Sequence, residues 1–464
     1  MTREASTLLL VHDAQQVCAG VGIQDPFAKP DVTLPARVGR RTDDSGEYLV
    51  GEALTRAEAA NEALEIVCPL ANGDVQDWDA LAALWYVRPS HNTFFTMVAL
   101  PMPLSRGAYE RTAQIFFEKF NTPALCISEV PLLAAYAAGV LNAMVVDVGA
   151  EETSAVAVSD CAIVPTAAVL SKLGTVHCTW WLAYLLVHDA PVREALQPLV
   201  TPDLSFEALA YALAQFLVAE GHVRIDVSAD VPGLDEPDAE DNSFDVAAAL
   251  VEGRERDVVK ERQKKNEKPL ASDVIHVDFR GVSVPVGRVR TRFHEPLLHP
   301  QLLERVTLSL PAPPAVRQAL HARRIGGEPI CVSVPEAVAM AAAHVQPSER
   351  RTVLWENLVV TGSATRFKGL VPELLRSFTT YVANEPTEGA QVVGEPNPAQ
   401  PRAVRAHKVP DYFPEFKEHL ELLPYLGATI YAKLVFNDTS GRNYISKMQY
   451  NDGGPSVAFA IGSA

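Results

Sequence analysis

Apolar and polar positions alternate in short blocks along the chain, and these blocks predict strands and helices in turn. The apolar runs 7–11 and 16–20 are separated by a polar turn, which is typical of two paired strands. Residues 77–86 and 104–120 have the apolar spacing of amphipathic helices, and a short apolar strand, 97–100, lies between them. The pattern therefore indicates a mixed α/β fold.

A second pair of apolar runs, 143–147 and 153–158, repeats the order of strand, turn and strand that opens the chain. The uncharged stretch 130–146 precedes the second turn and predicts a packed helix leading into a buried strand rather than a membrane span, because it is short. In both pairs an apolar strand leads into a loop. This repetition is how a fold with two similar halves around a phosphate-binding cleft would appear.

Two polar stretches interrupt the regular pattern. Residues 226–245 are acidic and contain proline, which predicts a solvated loop, and the charged stretch 246–265 after them predicts a helix. Residues 384–408 are rich in Pro, Glu and Ala and predict a mobile insertion. Loops of this length inside a compact protein are usually partner-binding or disordered.

Composition narrows the class of protein. A length of 464 residues fits two domains, and 48% hydrophobic with 21% charged residues is an ordinary globular balance. The net charge of −17 disfavours direct binding to nucleic acid. The six cysteines form no CxxC pair, which predicts reduced, buried thiols, and the first apolar run is too short for a signal peptide. We expect a soluble intracellular protein.

Several short motifs resemble actin, and they follow one another in the same order. Residues 120–124 (FNTPA) and 136–139 (YAAG) resemble actin's FNTPA and YASG, and residues 34–40 (LPARVGR) are similar to its FPSIVGR. Near the end, ISKMQY at 445–450 resembles actin's ISKxEY. The resemblance implies the α/β actin-like fold, with two similar lobes around a central cleft. The expected boundaries are an outer lobe at 1–137 with a reduced upper subdomain at about 25–67, an inner lobe at 138–424 with insertions at 226–245 and 384–408, and a return to the outer lobe at 425–464.

A finer resemblance is to the fungal nuclear class of actin-related proteins, the ninth class, found in SWI/SNF and RSC chromatin remodellers. Its marks are EGRER at 252–256, WEN at 355–357 and PDYFPEFK at 410–417. The class implies a nuclear subunit of an ATP-dependent remodeller that regulates transcription.

The two phosphate loops that the resemblance implies have changed. The family's first loop, DNGSG, is replaced by VHDAQ at 11–15, where Asp13 is the only carboxylate, and the second, DSGDG, is replaced by DVGAE, which retains Asp147 and Gly149. On the adenosine side, Gly362 survives from a Gly-Gly pair. Glycines let backbone N–H groups approach phosphates, so their loss opposes binding. The survivors are also explained by tight turns alone.

The residues that would position the attacking water are also changed. The family's Gln and His align with Val130 and Ser154, of which the first has no polar group and the second is short. We therefore expect a degenerate site with no catalytic residue, no cofactor and no metal, although weak ATP binding stays open. An alternative is an actin-fold ATPase with a relocated metal held by Asp13 and Asp147.

The resemblance also implies a hydrophobic groove in which a partner helix docks. The groove residues matched in this sequence are Tyr136, Ala137, Gly139, Leu141, Tyr431, Leu434 and Phe436. Ordinary core packing is the alternative for each of them.

The partners that the resemblance implies are the helicase-SANT-associated helix of the remodeller ATPase, a companion actin-related protein and a small adaptor subunit. No membrane or direct nucleic-acid contact is expected. A homopolymer is not expected either, since residues 41–47 form a short acidic substitute for the apolar loop by which actin contacts its neighbour. A filament-associated actin-related protein of the cytoskeleton is the alternative.

Overall fold

A computed structural model describes residues 4–13, 16–42, 46–71, 74–86, 94–101, 105–202, 204–226, 274–325, 331–382, 400–438 and 441–462. Nearly all of the predicted acidic loop, the predicted charged helix at 246–265 and residues 384–399 of the second insertion lie outside this description. No helix within these ranges is long and apolar enough to cross a membrane.

Seventeen strands form within the described residues. In chain order they are β1 Thr7–His12, β2 Gln16–Val21, β3 Val32–Pro35, β4 Val38–Arg41, β5 Tyr48–Leu49, β6 Leu64–Val67, β7 Leu70–Ala71, β8 Asp74–Val75, β9 Phe95–Leu100, β10 Ala124–Glu129, β11 Ala143–Val148, β12 Thr153–Ser159, β13 Ala162–Ser171, β14 Ile275–Phe279, β15 Val282–Val286, β16 Leu358–Thr361 and β17 Ile445–Ser446.

The α-helices of the described ranges lie between and after these strands. They are α1 Glu52–Ala59, α2 Trp78–Trp85, α3 Arg106–Gln114, α4 Val130–Ala138, α5 Thr175–Val187, α6 Ala190–Leu196, α7 Phe206–Ala219, α8 Glu295–Leu298, α9 Pro314–Ile325, α10 Val334–Ala343, α11 Arg350–Glu356, α12 Leu370–Phe378, α13 Pro414–Lys417, α14 Leu423–Asn437, α15 Lys447–Gly453 and α16 Val457–Gly462. A π-helical turn, Ile115–Lys119, continues α3. Short 3₁₀ helices lie at Glu4–Ser6, Gln197–Leu199, Arg288–Arg292, Pro300–Arg305, Ser363–Arg366, Thr379–Tyr381 and Leu420–Leu422.

Two large sheets share one arrangement. The six-stranded sheet has the order β17-β10-β9-β1-β2-β3, and the four-stranded sheet has the order β13-β12-β11-β16. In each sheet a hairpin of antiparallel strands, β1–β2 or β11–β12, pairs on its other side with a parallel strand, β9 or β16. The duplication predicted from the two apolar hairpins is confirmed. Smaller sheets pair β5-β4-β6, β7-β8 and β14-β15.

Strand periodicity explains how the six-stranded sheet is buried. Leu8 and Leu10 of β1 face one apolar cluster, and Leu9 and Val11 face another on the opposite side of the sheet. Successive side chains of a strand point to opposite faces, so a strand that is apolar throughout is covered on both faces. The four-stranded sheet contributes to a third, larger core with α5, α7, α10 and α12.

Two helices connect the sheets. The chain leaves the six-stranded sheet through α4 and returns to it through α14, and the two helices pack against each other. Their cluster, which includes Ala134 and Leu426, also contains Val145, Val158 and Val359 of the four-stranded sheet. A Cβ at position 427 of α14 would overlap the carbonyl oxygen of Leu133 in α4. Glycine is therefore required where the two helices cross.

The expectation that residues 384–408 are mobile is wrong for their last part, 400–408. The amide of Leu358 donates to the carbonyl of Arg405 at 3.0 Å, and the amide of His407 donates to the carbonyl of Leu358 at 2.7 Å. Val404 is buried against the core. A strand at a sheet edge has backbone groups that pair with no further strand. The two bonds use such groups of Leu358 and hold residues 405–407 alongside β16.

The expectation of buried cysteines holds for four of the six. Cys68 is exposed and Cys161 is half-buried, and none of the six cysteines, all within the described ranges, forms a disulfide. The helix α2 begins at an Asp77 cap, which accepts from the amides of Asp79 and Ala80, as the predicted range 77–86 requires.

We predict that Gly427→Ala lowers the free energy of unfolding by about 1–3 kcal/mol, because the added methyl group forces α4 and α14 apart. The matched control is Gly107→Ala in the exposed first turn of α3, where the nearest atom to a new Cβ is 3.9 Å away. This control should raise stability by roughly 0.5–1 kcal/mol through helix propensity. Urea unfolding followed by circular dichroism measures both, and equal effects of the two variants would contradict the close helix crossing.

Candidate functional site

The first of the two predicted loops follows β1, whose last two residues are part of the core. Val11 is buried, and the imidazole of His12 is buried on the opposite face beside Trp85. The Trp85 indole N–H donates to Nδ1 of His12 at 3.2 Å, so the ring proton lies on Nε2, which has no partner among the described residues. Burial lowers the pKa of His12 to about 3, and the ring is neutral at pH 7.

Asp13 closes the hairpin between β1 and β2. Its side chain accepts from the amide of Gln16 at 2.7 Å, and its own amide donates to the carbonyl of Gln16 at 3.0 Å. An aspartate that bonds to a backbone amide a few residues ahead stabilises a tight turn. This local role is sufficient to explain the residue.

The second predicted loop joins β11 to β12 in the four-stranded sheet. Asp147 lies opposite Ser154 in the antiparallel pair, and the amide of Gly149 donates to the carbonyl of Glu152 at 3.0 Å. The carbonyl of Gly149 accepts from the amide of Thr175 at 3.1 Å at the start of α5. Both backbone groups of Gly149 are therefore used within the protein.

The structure brings Gly362 against Asp147. Asp147 pairs with Thr361 in the parallel register of β11 and β16, so Gly362 comes directly after the strand beside it. A Cβ at position 362 would overlap Oδ1 of Asp147, and the backbone φ of Gly362 is +94°, which disfavours other residues. The close approach of Asp147 and the backbone conformation explain this glycine without a ligand.

Asp147 is the most perturbed carboxyl group of the site. Burial, followed by the charges of Asp13 and Glu152, raises its pKa from 3.8 to about 7. The structure therefore brings Asp13, Asp147, Gly149 and Gly362 into one neighbourhood. Within the described ranges, no three His, Cys, Asp or Glu side chains are grouped so that they could hold a metal ion.

A buried ion pair next to this loop was missed from the sequence. Nζ of Lys172 lies 2.6 Å from Oε2 of Glu152, and their side chains are 6% and 13% exposed. Glu151, beside it, has a pKa raised by burial and by Glu152. Thr153 of β12 pairs with Ser171 of β13, so the residues that flank them, Glu152 and Lys172, are neighbours. This strand register was the signal from which the ion pair could have been predicted.

Val130 and Ser154 are the residues that align with the family's water-positioning Gln and His. Val130 is the first residue of α4 and is buried, and Ser154 is half-buried in β12. Val130 carries no polar side-chain atom that could orient a water molecule.

A second polar group near the site was also missed. Nε of Arg366 donates to Oε1 of Glu421 at 3.2 Å, and Nδ1 of His419 lies 3.2 Å from the same oxygen. The Glu421 side chain is 6% exposed. The pKa of the buried Cys18 thiol is raised to about 12, first by burial, and the charges of Asp13, Arg366 and Glu421 all act on it, so these groups lie close together. The sequence separation of 55 residues between Arg366 and Glu421 gives no signal of this contact.

The predicted groove divides into surface and core. The rings of Tyr136 and Tyr431 are half-buried with centroids 4.9 Å apart, and Leu141 and Leu434 are 64% and 58% exposed. Gly139 is exposed and ends α4 in the left-handed conformation.

Ala137 and Phe436 are not groove residues, and this part of the prediction is wrong. Both are 1% exposed. Ala137 packs in the cluster between the two helices, and the Phe436 ring contacts Phe95 at 5.6 Å in the core of the six-stranded sheet. The helical period turns these two positions inward while their neighbours face solvent.

We predict that the contribution of Asp147 to stability falls as pH rises from about 4 to about 7, because the folded state holds the Asp147 proton up to a pKa of about 7 and the unfolded chain releases it near 3.8. Asp147→Asn should therefore raise the free energy of unfolding by roughly 1–3 kcal/mol at pH 8 relative to its effect at pH 4. Urea unfolding across this range tests it. The control is Glu194→Gln on the exposed face of α6. A pH dependence that is the same in Asp147→Asn and the wild-type protein would contradict the assignment.

Comparison with known proteins agrees with this geometry. Residues 26–208 match the model of the actin family. The SWI/SNF and RSC complexes subunit arp9 of Schizosaccharomyces pombe is 28% identical over 94% of this chain and 88% of that protein. Actin-related protein 4 of Arabidopsis thaliana is 29% identical over 24% of this chain and 26% of that protein, and actin-related protein 7 of Oryza sativa is 28% identical over 30% and 38%. Residues 26–208 thus match the actin-family domain, and two sheets of matching topology joined by α4 and α14 give this chain an actin-like fold.

Proposed function

We propose that this chain is a nuclear, non-catalytic actin-related subunit of an ATP-dependent chromatin-remodelling complex of the SWI/SNF or RSC kind. The observation that carries the proposal is the similarity to the arp9 subunit, which extends over 94% of the chain. Similarity over this length includes both large sheets and the helices that join them. An assembly role also fits the net charge of −17, which disfavours direct contact with DNA.

The absence of hydrolysis is part of the proposal, and the residues at the two loops support it. A phosphate site needs backbone amides that approach the ligand closely and a charge that complements it. Here the amide of Gly149 is bonded to Glu152, Glu151 adds negative charge, and His12 is buried beside Trp85 as a neutral ring. These residues do not fit a nucleotide with its metal, and no catalytic step is assigned to them.

Binding of a partner helix is proposed for the surface formed by Tyr136, Gly139, Leu141, Tyr431 and Leu434. Two exposed leucines beside a pair of half-buried tyrosines supply the apolar anchors that an amphipathic helix requires. The occupant we propose is the helicase-SANT-associated helix of the remodeller ATPase, with a companion actin-related protein beside it. A homopolymer is not part of this proposal.

We predict that isothermal titration calorimetry with Mg-ATP shows no binding at micromolar concentrations, because side chains and internal hydrogen bonds occupy the loop positions. The competing hypothesis is an ATPase whose metal is held by Asp13 and Asp147, which the electrostatic contact between these two carboxyl groups favours. Micromolar binding that is lost in Asp147→Ala would support that hypothesis and sink the non-catalytic one.

We predict that Leu141→Asp and Leu434→Asp each weaken binding of the helicase-SANT-associated helix about tenfold or more, because a charge replaces an anchor in the contact. Fluorescence anisotropy with the labelled helix from the host's remodeller measures the affinity. The control is Val353→Asp in α11, another exposed aliphatic position on a helix, at 42% exposure. Both groove variants are surface changes and should unfold at the wild-type temperature. Affinities equal to that of Val353→Asp would reject this surface.

A further inference from the structure

The motif PDYFPEFK at 410–417 packs beside the helices α4 and α14. Its buried residues Phe413 and Phe416 belong to the cluster of α4 and α14 that includes Val145 and Val359 of the four-stranded sheet. Upstream, residues 405 and 407 are bonded to Leu358 of β16. We call residues 410–417 the strap. On this side the strap is held by the four-stranded sheet.

The other side of the strap contacts a loop of the six-stranded sheet. This loop, residues 22–29, joins β2 to β3. Its Phe27 ring lies 5.5 Å from the ring of Phe413, and Nζ of Lys29 lies 3.1 Å from Oε2 of Glu415. One aromatic contact and one ion pair therefore join the loop of the six-stranded sheet to the strap.

The loop is held in position to make these contacts. Asp25 accepts from the amide of Phe27 at 2.9 Å, which fixes the backbone of the ring that meets the strap. Nζ of Lys433 in α14 donates to the carbonyl of Gln24 at 2.9 Å, and Ile23 is fully buried. Phe27 itself is 48% exposed, so its contact with Phe413 replaces part of its contact with water.

We infer that the strap, through Phe27–Phe413 and Lys29–Glu415, holds the six-stranded and four-stranded sheets in a fixed relation without a ligand between them. This inference rests on the proposed absence of bound nucleotide. Without a ligand, contacts within the chain itself have to link the two sheets. The contacts described here join the sheets away from the β1–β2 and β11–β12 turns.

Hydrogen–deuterium exchange on the full chain tests the strap. In Phe27→Ala, amides of residues 22–29 and 410–417 should exchange roughly threefold faster or more, because opening of the strap needs less free energy. The matched control is Tyr412→Ala. Tyr412 is 64% exposed, and its ring packs against Phe413 from within the strap with centroids 4.5 Å apart, so exchange at 22–29 should stay at the wild-type rate.

The ion pair offers a test by charge exchange. Lys29→Glu and Glu415→Lys should each speed exchange in both segments, and the double variant should restore the wild-type rates because it rebuilds the pair with reversed polarity. Wild-type exchange at 22–29 in Phe27→Ala, or no recovery in the double variant, would overturn the inference. A failure of the proposed function would be detected by a different measurement. The wild-type protein would then unfold at a higher temperature with Mg-ATP, whatever the exchange rates of the strap variants.

Discussion

The crossing of α4 over α14 is the contact on which the rest of the fold depends. These helices are the connections between the two large sheets, and their separation is set where Gly427 meets the carbonyl of Leu133. Packed interiors accept very little change in volume, so one methyl group at this point would alter the position of both helices. The turns after β1 and β11, the tyrosine pair and the strap are all attached to these helices or to the strands that they join.

Each of the four predicted residues at the candidate site is held by a contact inside the chain. Asp147 and Gly362 are held by each other, Gly149 by Glu152 and α5, and Asp13 by its own turn. Of the four, Gly362 has contacts and a backbone conformation that require its residue type. Charges beside the site are balanced inside the chain, that of Glu152 by Lys172 and that of Glu421 by Arg366. Such pairs are costly to break because one buried charge would be left uncompensated.

Much of the fold could be predicted from the sequence because its signals are local. The apolar periods of β1, β2, β11 and β12 specified the strands, and the Asp77 cap marked the start of α2. Contacts between distant residues carry no such signal. The Arg366–Glu421 pair and the contact of Phe27 with Phe413 join residues far apart in the chain, and both depend on where α14 places its neighbours. Burial at Ala137 and Phe436 was predicted wrongly for the same reason, since a helix face is assigned only when its packing partner is known.

The pairing of residues 405–407 with Leu358 has a consequence for the protein in solution. Strand β16 lies at the edge of the four-stranded sheet, and its unpaired amides and carbonyls would form a template on which a strand from another molecule can add. The returning chain covers part of that edge with a parallel bridge between Leu358 and Ala406. A deletion that removed residues 400–408 would therefore open this sheet edge to intermolecular aggregation.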